Sequence, residues 1–391
     1  MKDRSLEYFP KMRIQTALLL ALVAPLAFAQ APVPAPPTVP TNGYILIDHD
    51  SGRVLAQQRS DARMEPASIT KLMTAYIVFA ALREKRLALT DQVVVSEHAW
   101  RTGGSASGGS TTFLKVNMPV SVEVLIQGMI VQSGNDATIA LAEKVGGTED
   151  GFVQMMNEYA KRLGLANTHF DNSWGGPSPN HYSTARDLAT LSQAIIRVFP
   201  DYYRWYSLRE FTWNGIRQPN RNGLLYRDPS VDGIKTGHTE SAKYCLVSSA
   251  KRNGMRLISV VLGSPTEKAR EDASAALLNY GFTFYETMKL QQAGKAVLQP
   301  RVYKGATETV AVGSLRDISV TIPRGQSAAI AKESTIKGPL VAPLAAHAAV
   351  GEYKVTVGKD VVASVPLVTL TAVREGGFWH SMVDSVKLWF E

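Results

Sequence analysis

The sequence predicts an α+β body in which helices pack on a mainly antiparallel sheet, followed by a small all-β domain and a C-terminal amphipathic helix. Three observations carry this expectation. Short strand-like runs bracket a long middle stretch whose apolar residues recur every three or four positions. From about Leu290 the pattern changes to alternation with period two. The last residues return to helical spacing, with apolar side chains on one side only.

The elements follow in order. Lys2, Arg4, Lys11 and Arg13 precede an apolar core around Ala17 to Ala24, and Ala27-Phe28-Ala29 supplies a small-x-small site before Gln30. Residues 1–29 therefore read as a cleaved secretory signal, with a core too short for a retained membrane-spanning helix. Residues 30–41 form a Pro- and Ala-rich linker. The body, 42–289, opens on a hairpin: Tyr44 to Ile47 and Val54 to Ala56 flank the turn Asp48-His49-Asp50-Ser51-Gly52. Helical spacing then covers Ile69 to Val78, Val122 to Val131, Glu143 to Leu165 and Ala185 to Val198. Strands are expected at Lys235 to Thr239, at the apolar run Tyr244 to Val247, and at Leu257 to Leu262.

Residues 290–373 alternate through Val310 and Val312, Ile318 to Ile322, Tyr353 to Val357 and Val365 to Thr371, with Gly358-Lys359-Asp360 as one turn. This domain holds no catalytic constellation and reads as a spacer or docking module. In 374–391, Phe378, Trp379, Met382, Val383, Val386, Trp389 and Phe390 share one helical side, with Asp384, Ser385 and Lys387 opposite. So short a helix cannot cross a bilayer but can lie in its interface, which makes a membrane surface an expected partner.

Three motifs occur in one order: Ser68-Ile69-Thr70-Lys71, Ser133-Gly134-Asn135 and Lys235-Thr236-Gly237. Together they describe an active-site serine acyltransferase. A serine hydroxyl needs a base within hydrogen-bond reach. Lys71, one helical turn on, can serve if burial and a second cation, Lys235, lower its pKa. Ser248 to Lys251 and Ser334 to Lys337 also fit S-x-x-K, but one lies in an expected strand and the other in a polar stretch. The Ser133 hydroxyl can relay a proton to a leaving amine, and the Asn135 amide can hold both Lys71 and a substrate carbonyl. Lys235 and Thr236 suit a carboxylate, and Gly237 lets backbone approach closely. The His238 and Ser68 amide N–H groups can hold an oxyanion.

With Pro66-Ala67-Ser68-Ile69-Thr70-Lys71-Leu72-Met73-Thr74, Gln132-Ser133-Gly134-Asn135-Asp136-Ala137 and Asp232 to Thr239, the chain resembles the low-molecular-mass penicillin-binding D-alanyl-D-alanine carboxypeptidases from about Asn42 onward. The resemblance implies a β-lactamase/transpeptidase-like catalytic fold. It also implies a peptidoglycan stem peptide ending in D-Ala-D-Ala as substrate, an acyl-enzyme on Ser68, and acylation by β-lactam antibiotics. It places the loop Gly103 to Thr112 at the cleft, with Ser110 and Arg270 near the substrate carboxylate. Family members usually have a glycine near Ser241-Ala242-Lys243; this chain has none.

The net charge of +8 is dispersed along an exported chain, which argues for anionic lipid or wall polymer rather than nucleic acid. Cys245, the single cysteine, sits in an apolar run and reads as a buried, inert thiol. No histidine has neighbours at metal-ligand spacing, and no cofactor is expected. Three rival readings remain: a D,D-endopeptidase using the same chemistry, a non-catalytic wall-binding protein, and a serine β-lactamase. The last needs a water-activating glutamate. The one E-x-x-x-N match, Glu210 to Asn214, lies among Trp205, Tyr206, Phe211 and Trp213 as an expected packed hairpin, while Phe170 to Tyr182 offers Asp171 and His181 but no Glu.

Overall fold

The computed structural model describes residues 33–377 together with Met382, Asp384 and Ser385. The expected signal segment and most of the expected C-terminal helix lie outside the described residues.

The expected hairpin forms from strands Gly43–Asp48 and Val54–Gln58. Its first strand pairs with a partner more than two hundred residues away, Tyr44 opposite Val261. The resulting five-stranded antiparallel sheet runs Val54–Gln58, Gly43–Asp48, Met255–Ser264, Lys243–Arg252 and Val231–Thr239. Leu257 to Leu262 are buried at every position, so both faces of that strand are covered. The helices Ala185–Val198 and Glu267–Phe284 both pack on it.

The helix Lys71–Arg83 is buried from Lys71 through Leu82. Its sequence has no Gly or Pro and few polar groups, so it suits the centre of the helical layer. Phe79 meets the rings of Phe199, Tyr202 and Trp205 at 5.8, 5.2 and 6.0 Å. The helix proper starts at Lys71, however, not at Ser68. Residues Ala67–Thr70 form a 3₁₀ turn, entered through Ala67 at φ 48°.

The expected helix from Val122 is α-helical only over Val122–Gln127 and widens to a π turn over Gly128–Gln132. Gly128 seats against Thr112, where a Cβ would come within 2.6 Å of the Thr112 side chain. The extra residue per turn carries Ser133 round to a left-handed φ of 65°. The expected helical stretch from Glu143 is two helices, Asn135–Gly146 and Glu149–Arg162. The break is Gly147 at φ 78°, followed by Thr148, whose hydroxyl caps the second helix by accepting from the Gly151 N–H.

From Tyr285 to Thr369 the chain is built of strands, with one short 3₁₀ turn at Ser327–Ala329. Tyr285–Gln291, which straddles the expected boundary at 289, pairs with Ile318–Pro323. A second five-stranded sheet runs Ala296–Leu298, Val312–Gly313, Asp360–Thr369, Ala349–Val357 and Ile330–Ile336. These strands enclose their own core around Val312, Val320, Ile322, Val355 and Leu367. The expected turn at Gly358 links the last two, with Val357 opposite Asp360. A polar latch joins this part to the first sheet. The buried Asp48 carboxylate accepts from the Ser51 N–H and hydroxyl and from the Thr287 hydroxyl, each at 2.7 Å. Thr321 bonds Ser51 at 2.6 Å and Thr287 at 2.9 Å.

Candidate active site

The Ala67–Thr70 turn that carries Ser68 is squeezed between two glycines. A Cβ on Gly175 would lie 1.9 Å from the Ala67 carbonyl oxygen, and one on Gly237 would lie 2.8 Å from the Pro66 oxygen. Gly175 also holds φ 90°, a conformation glycine adopts readily. Only bare backbone lets the 171–182 loop and the Lys235 strand close on Ser68 from both sides.

Within this frame Lys71 Nζ lies 2.7 Å from Ser68 Oγ, 2.7 Å from Asn135 Oδ1 and 2.7 Å from the Trp174 carbonyl oxygen. The last two atoms can only accept, so they take two N–H bonds from the amine. The third direction points at the Ser68 hydroxyl. A neutral Lys71 would thus turn its lone pair on Ser68 Oγ–H. Burial lowers the Lys71 pKa well below its ordinary value, and Lys235 and Arg221 push it the same way. Lys235, also buried, has its own pKa lowered by desolvation and by Arg221 and Arg270.

Asn135 and Asp136 begin the helix Asn135–Gly146. The Asn135 N–H donates to the Ser110 carbonyl at 2.8 Å, which pins the Gly103 to Thr112 loop to the site. The buried Asp136 carboxylate accepts from Thr111 Oγ1 and the N–H groups of Thr112, Leu114 and Ala137, at 2.8 to 3.0 Å. An acid in the first turn also suits the helix dipole. Ser133 Oγ is buried and unpartnered among the described residues.

The cleft has a volume of about 400 Å³ and gathers Ser68, Ser133, Asn135, Thr236, Gly237 and His238 from the motifs, together with Ser110 and Arg270. Lys235 lies beneath it, 3% exposed. Arg270 sits in the first turn of helix Glu267–Phe284, where the dipole disfavours a cation. It is buried nonetheless, bonded to Glu267 Oε1 at 2.5 Å and 5.6 Å from the Tyr244 ring centre. Ser248 is enclosed within strand Lys243–Arg252 and Ser334 lies on strand Ile330–Ile336; neither borders the cleft. Glu210 lies on the expected hairpin, paired with Arg217, also away from the cleft. Cys245 is buried, and burial pushes its thiol up to about 11.

Several site residues carried no signal in the sequence. Arg221 lines the cleft mouth from a loop without a motif, and Trp174 contributes both a wall and the carbonyl that holds Lys71. His181 is also new to the site. Its Nδ1 accepts from the Asp171 N–H at 3.2 Å, which leaves Nε2–H to donate to Thr70 Oγ1 at 2.7 Å. Burial lowers its pKa to about 4. With Thr74 Oγ1 bonded to the Ser173 carbonyl at 2.6 Å, it ties the 171–182 loop to the Ser68 turn and the start of helix Lys71–Arg83.

A family model described as D-alanyl-D-alanine carboxypeptidase matches residues 30–266, and one described as the penicillin-binding protein 5 C-terminal domain matches residues 285–375. Over 92% of its length the chain is 43% identical to the D-alanyl-D-alanine carboxypeptidase DacA of Escherichia coli K12, covering 90% of that protein. It is 44% identical to DacC of the same organism, with 95% and 94% of the two chains covered. Among solved structures, penicillin-binding protein 5 from Haemophilus influenzae superposes with a TM-score of 0.82 at 43% identity, over 88% of this chain and 100% of that one.

Proposed function

The chain belongs to the D-alanyl-D-alanine carboxypeptidase family, and from that premise we propose that it removes the terminal D-Ala of peptidoglycan pentapeptide stems through an acyl-enzyme on Ser68. The observation that carries this reading is the buried Lys71 amine, its pKa lowered, 2.7 Å from Ser68 Oγ. Lys71 takes the hydroxyl proton as Ser68 attacks the penultimate carbonyl. The N–H groups of Ser68 and His238 hold the oxyanion. Ser133 passes a proton to the departing D-Ala amine, and Asn135 keeps Lys71 aimed. Lys235 and Thr236 bind the terminal carboxylate, with Ser110 and Arg270 beside them and Arg221 adding positive charge at the mouth. That carboxylate offsets the crowding of cations around Lys235, whose neighbours Arg221 and Arg270 lower its pKa. Water then replaces D-Ala and is activated by the same amine. β-Lactams acylate Ser68 by the first half of this sequence.

The test is release of free D-Ala from a pentapeptide stem, paired with covalent labelling by fluorescent penicillin. Ser68→Ala abolishes both, whereas Ser248→Ala and Ser334→Ala leave labelling intact. Labelling of the Ser68→Ala protein would sink the assignment.

The same reading makes the protein an exported, periplasmic enzyme, with a catalytic domain that gives way near Tyr285 to a β domain. The tail binds the membrane surface through its apolar side. Two described residues support that orientation: Asp384 is buried, accepting from Arg301 and from the Lys304 N–H at 3.1 and 2.7 Å, while Met382 is 49% exposed. Deleting residues 377–391 should release an active enzyme from membranes; a truncated protein that still sediments with them contradicts the anchor.

A further inference from the structure

The geometry points to Glu65 as a positioning residue that clamps the two backbone segments of the oxyanion hole together. This inference rests on the Ser68 acyl-enzyme proposed above. The two N–H donors belong to different parts of the chain: Ser68 on the 3₁₀ turn, and His238 near the end of strand Val231–Thr239. Neither donor can be useful unless the distance between these segments is held at the moment charge develops.

Glu65 lies three residues before Ser68 and bridges that gap. Its Oε1 accepts from Thr239 Oγ1 at 2.7 Å, and its Oε2 accepts from the Ser241 hydroxyl. The Thr239 oxygen in turn accepts from the Ala242 N–H at 2.9 Å, so one carboxylate organises the whole turn that follows His238. Behind Glu65 the chain is fixed to the body by reciprocal Met64 and Ser183 backbone bonds of 2.8 and 2.9 Å. The turn itself is strained. It lacks glycine, and Lys243 holds a left-handed φ of 56°, a conformation costly for a residue with a Cβ. The clamp compensates from outside for a turn that its own sequence does not stabilise.

The experiment separates the acylation rate constant from the dissociation constant of the initial complex, using a fluorescent penicillin and stopped flow. Glu65→Ala should slow acylation by about ten- to a hundredfold, part of what removing a whole oxyanion donor costs, with the initial dissociation constant unchanged. Glu65→Gln, which keeps one acceptor, should fall between. Ser241→Ala, a change at an exposed turn, should give a smaller loss that is not additive with Glu65→Ala. Acylation of Glu65→Ala at the wild-type rate, or a loss confined to the dissociation constant, overturns the clamp. If the wild-type protein itself is not labelled, the failure lies with the Ser68 reading instead.

Discussion

His181→Gln isolates a buried, neutral imidazole whose cost is set by pH. In the folded protein its pKa is lowered from 6.5 to about 4. Desolvation is the main cause, and protonation would also turn Nδ1 from acceptor into donor against the Asp171 N–H. Above pH 6.5 the residue is neutral folded or unfolded and contributes nothing to pH dependence. As pH falls from 6.5 to 4 the unfolded chain takes up a proton that the folded chain refuses, so stability is lost, and the loss is complete below 4. At about 1.36 kcal/mol per pKa unit the limit is about 3.4 kcal/mol, of which about 2.5 kcal/mol is lost by pH 4.5. With His181 only 2% exposed, solvent screening takes little from this figure. Glutamine can accept from Asp171 and donate to Thr70 without titrating. Urea unfolding at pH 7.5 and 4.5 should therefore show the wild type losing about 2–3 kcal/mol more than the variant, with every shared titration cancelling in the difference. Equal losses in the two proteins, or an NMR titration placing His181 near pH 6.5, would refute the reasoning.

Four further outcomes are expected. Lys71→Ala should lower acylation by about a hundredfold or more with initial binding preserved, whereas Lys235→Ala should mainly raise KM for carboxylate-bearing peptides; pre-steady-state labelling and peptide kinetics separate the two. Arg221→Leu removes a charge that depresses the Lys71 pKa, so the acid limb of the acylation rate against pH should move upward; an unmoved or lowered limb contradicts that coupling. Among the described residues the one carboxylate lining the cleft is Glu267, held by Arg270, and a ring-opened penicillin stays tethered where D-Ala would have departed and made room for water, so a penicilloyl group on Ser68 should persist in intact-mass spectra far longer than a peptide acyl-enzyme. Rapid catalytic consumption of the drug would instead favour a β-lactamase. Lys243→Gly should relax the left-handed turn and raise stability by about 0.5–1 kcal/mol, read as a higher Tm.

What the sequence disclosed follows the range of the interactions involved. Ser68 with Lys71, Ser133 with Asn135, and Lys235 with Gly237 each sit within a few residues of one another, so their spacing already implies a shared face or loop. The helix Ala185–Val198 was equally visible, because its period repeats over four turns. Ser68 on a 3₁₀ turn was not, since Ala67 takes φ 48° under pressure from Gly175 and Gly237, which approach from distant parts of the chain. The π turn before Ser133 was hidden likewise, its cause being the seat of Gly128 on Thr112. Arg221, Trp174 and His181 enter the site by tertiary placement alone; an arginine in a loop and a backbone carbonyl have no periodicity to read.

The Asp48 latch changes what kind of machine the β part makes. It sits beside one margin of the five-stranded sheet, three strands from the Lys235 strand, so about 14 Å of hydrogen-bonded backbone separates it from the cleft edge. With Asp48, Ser51, Thr287 and Thr321 locked, the cleft does not swing at the end of a slack arm; it rides on a strut. One buried carboxylate shared by side chains of both sheets makes the latch a brace between the two parts of the fold.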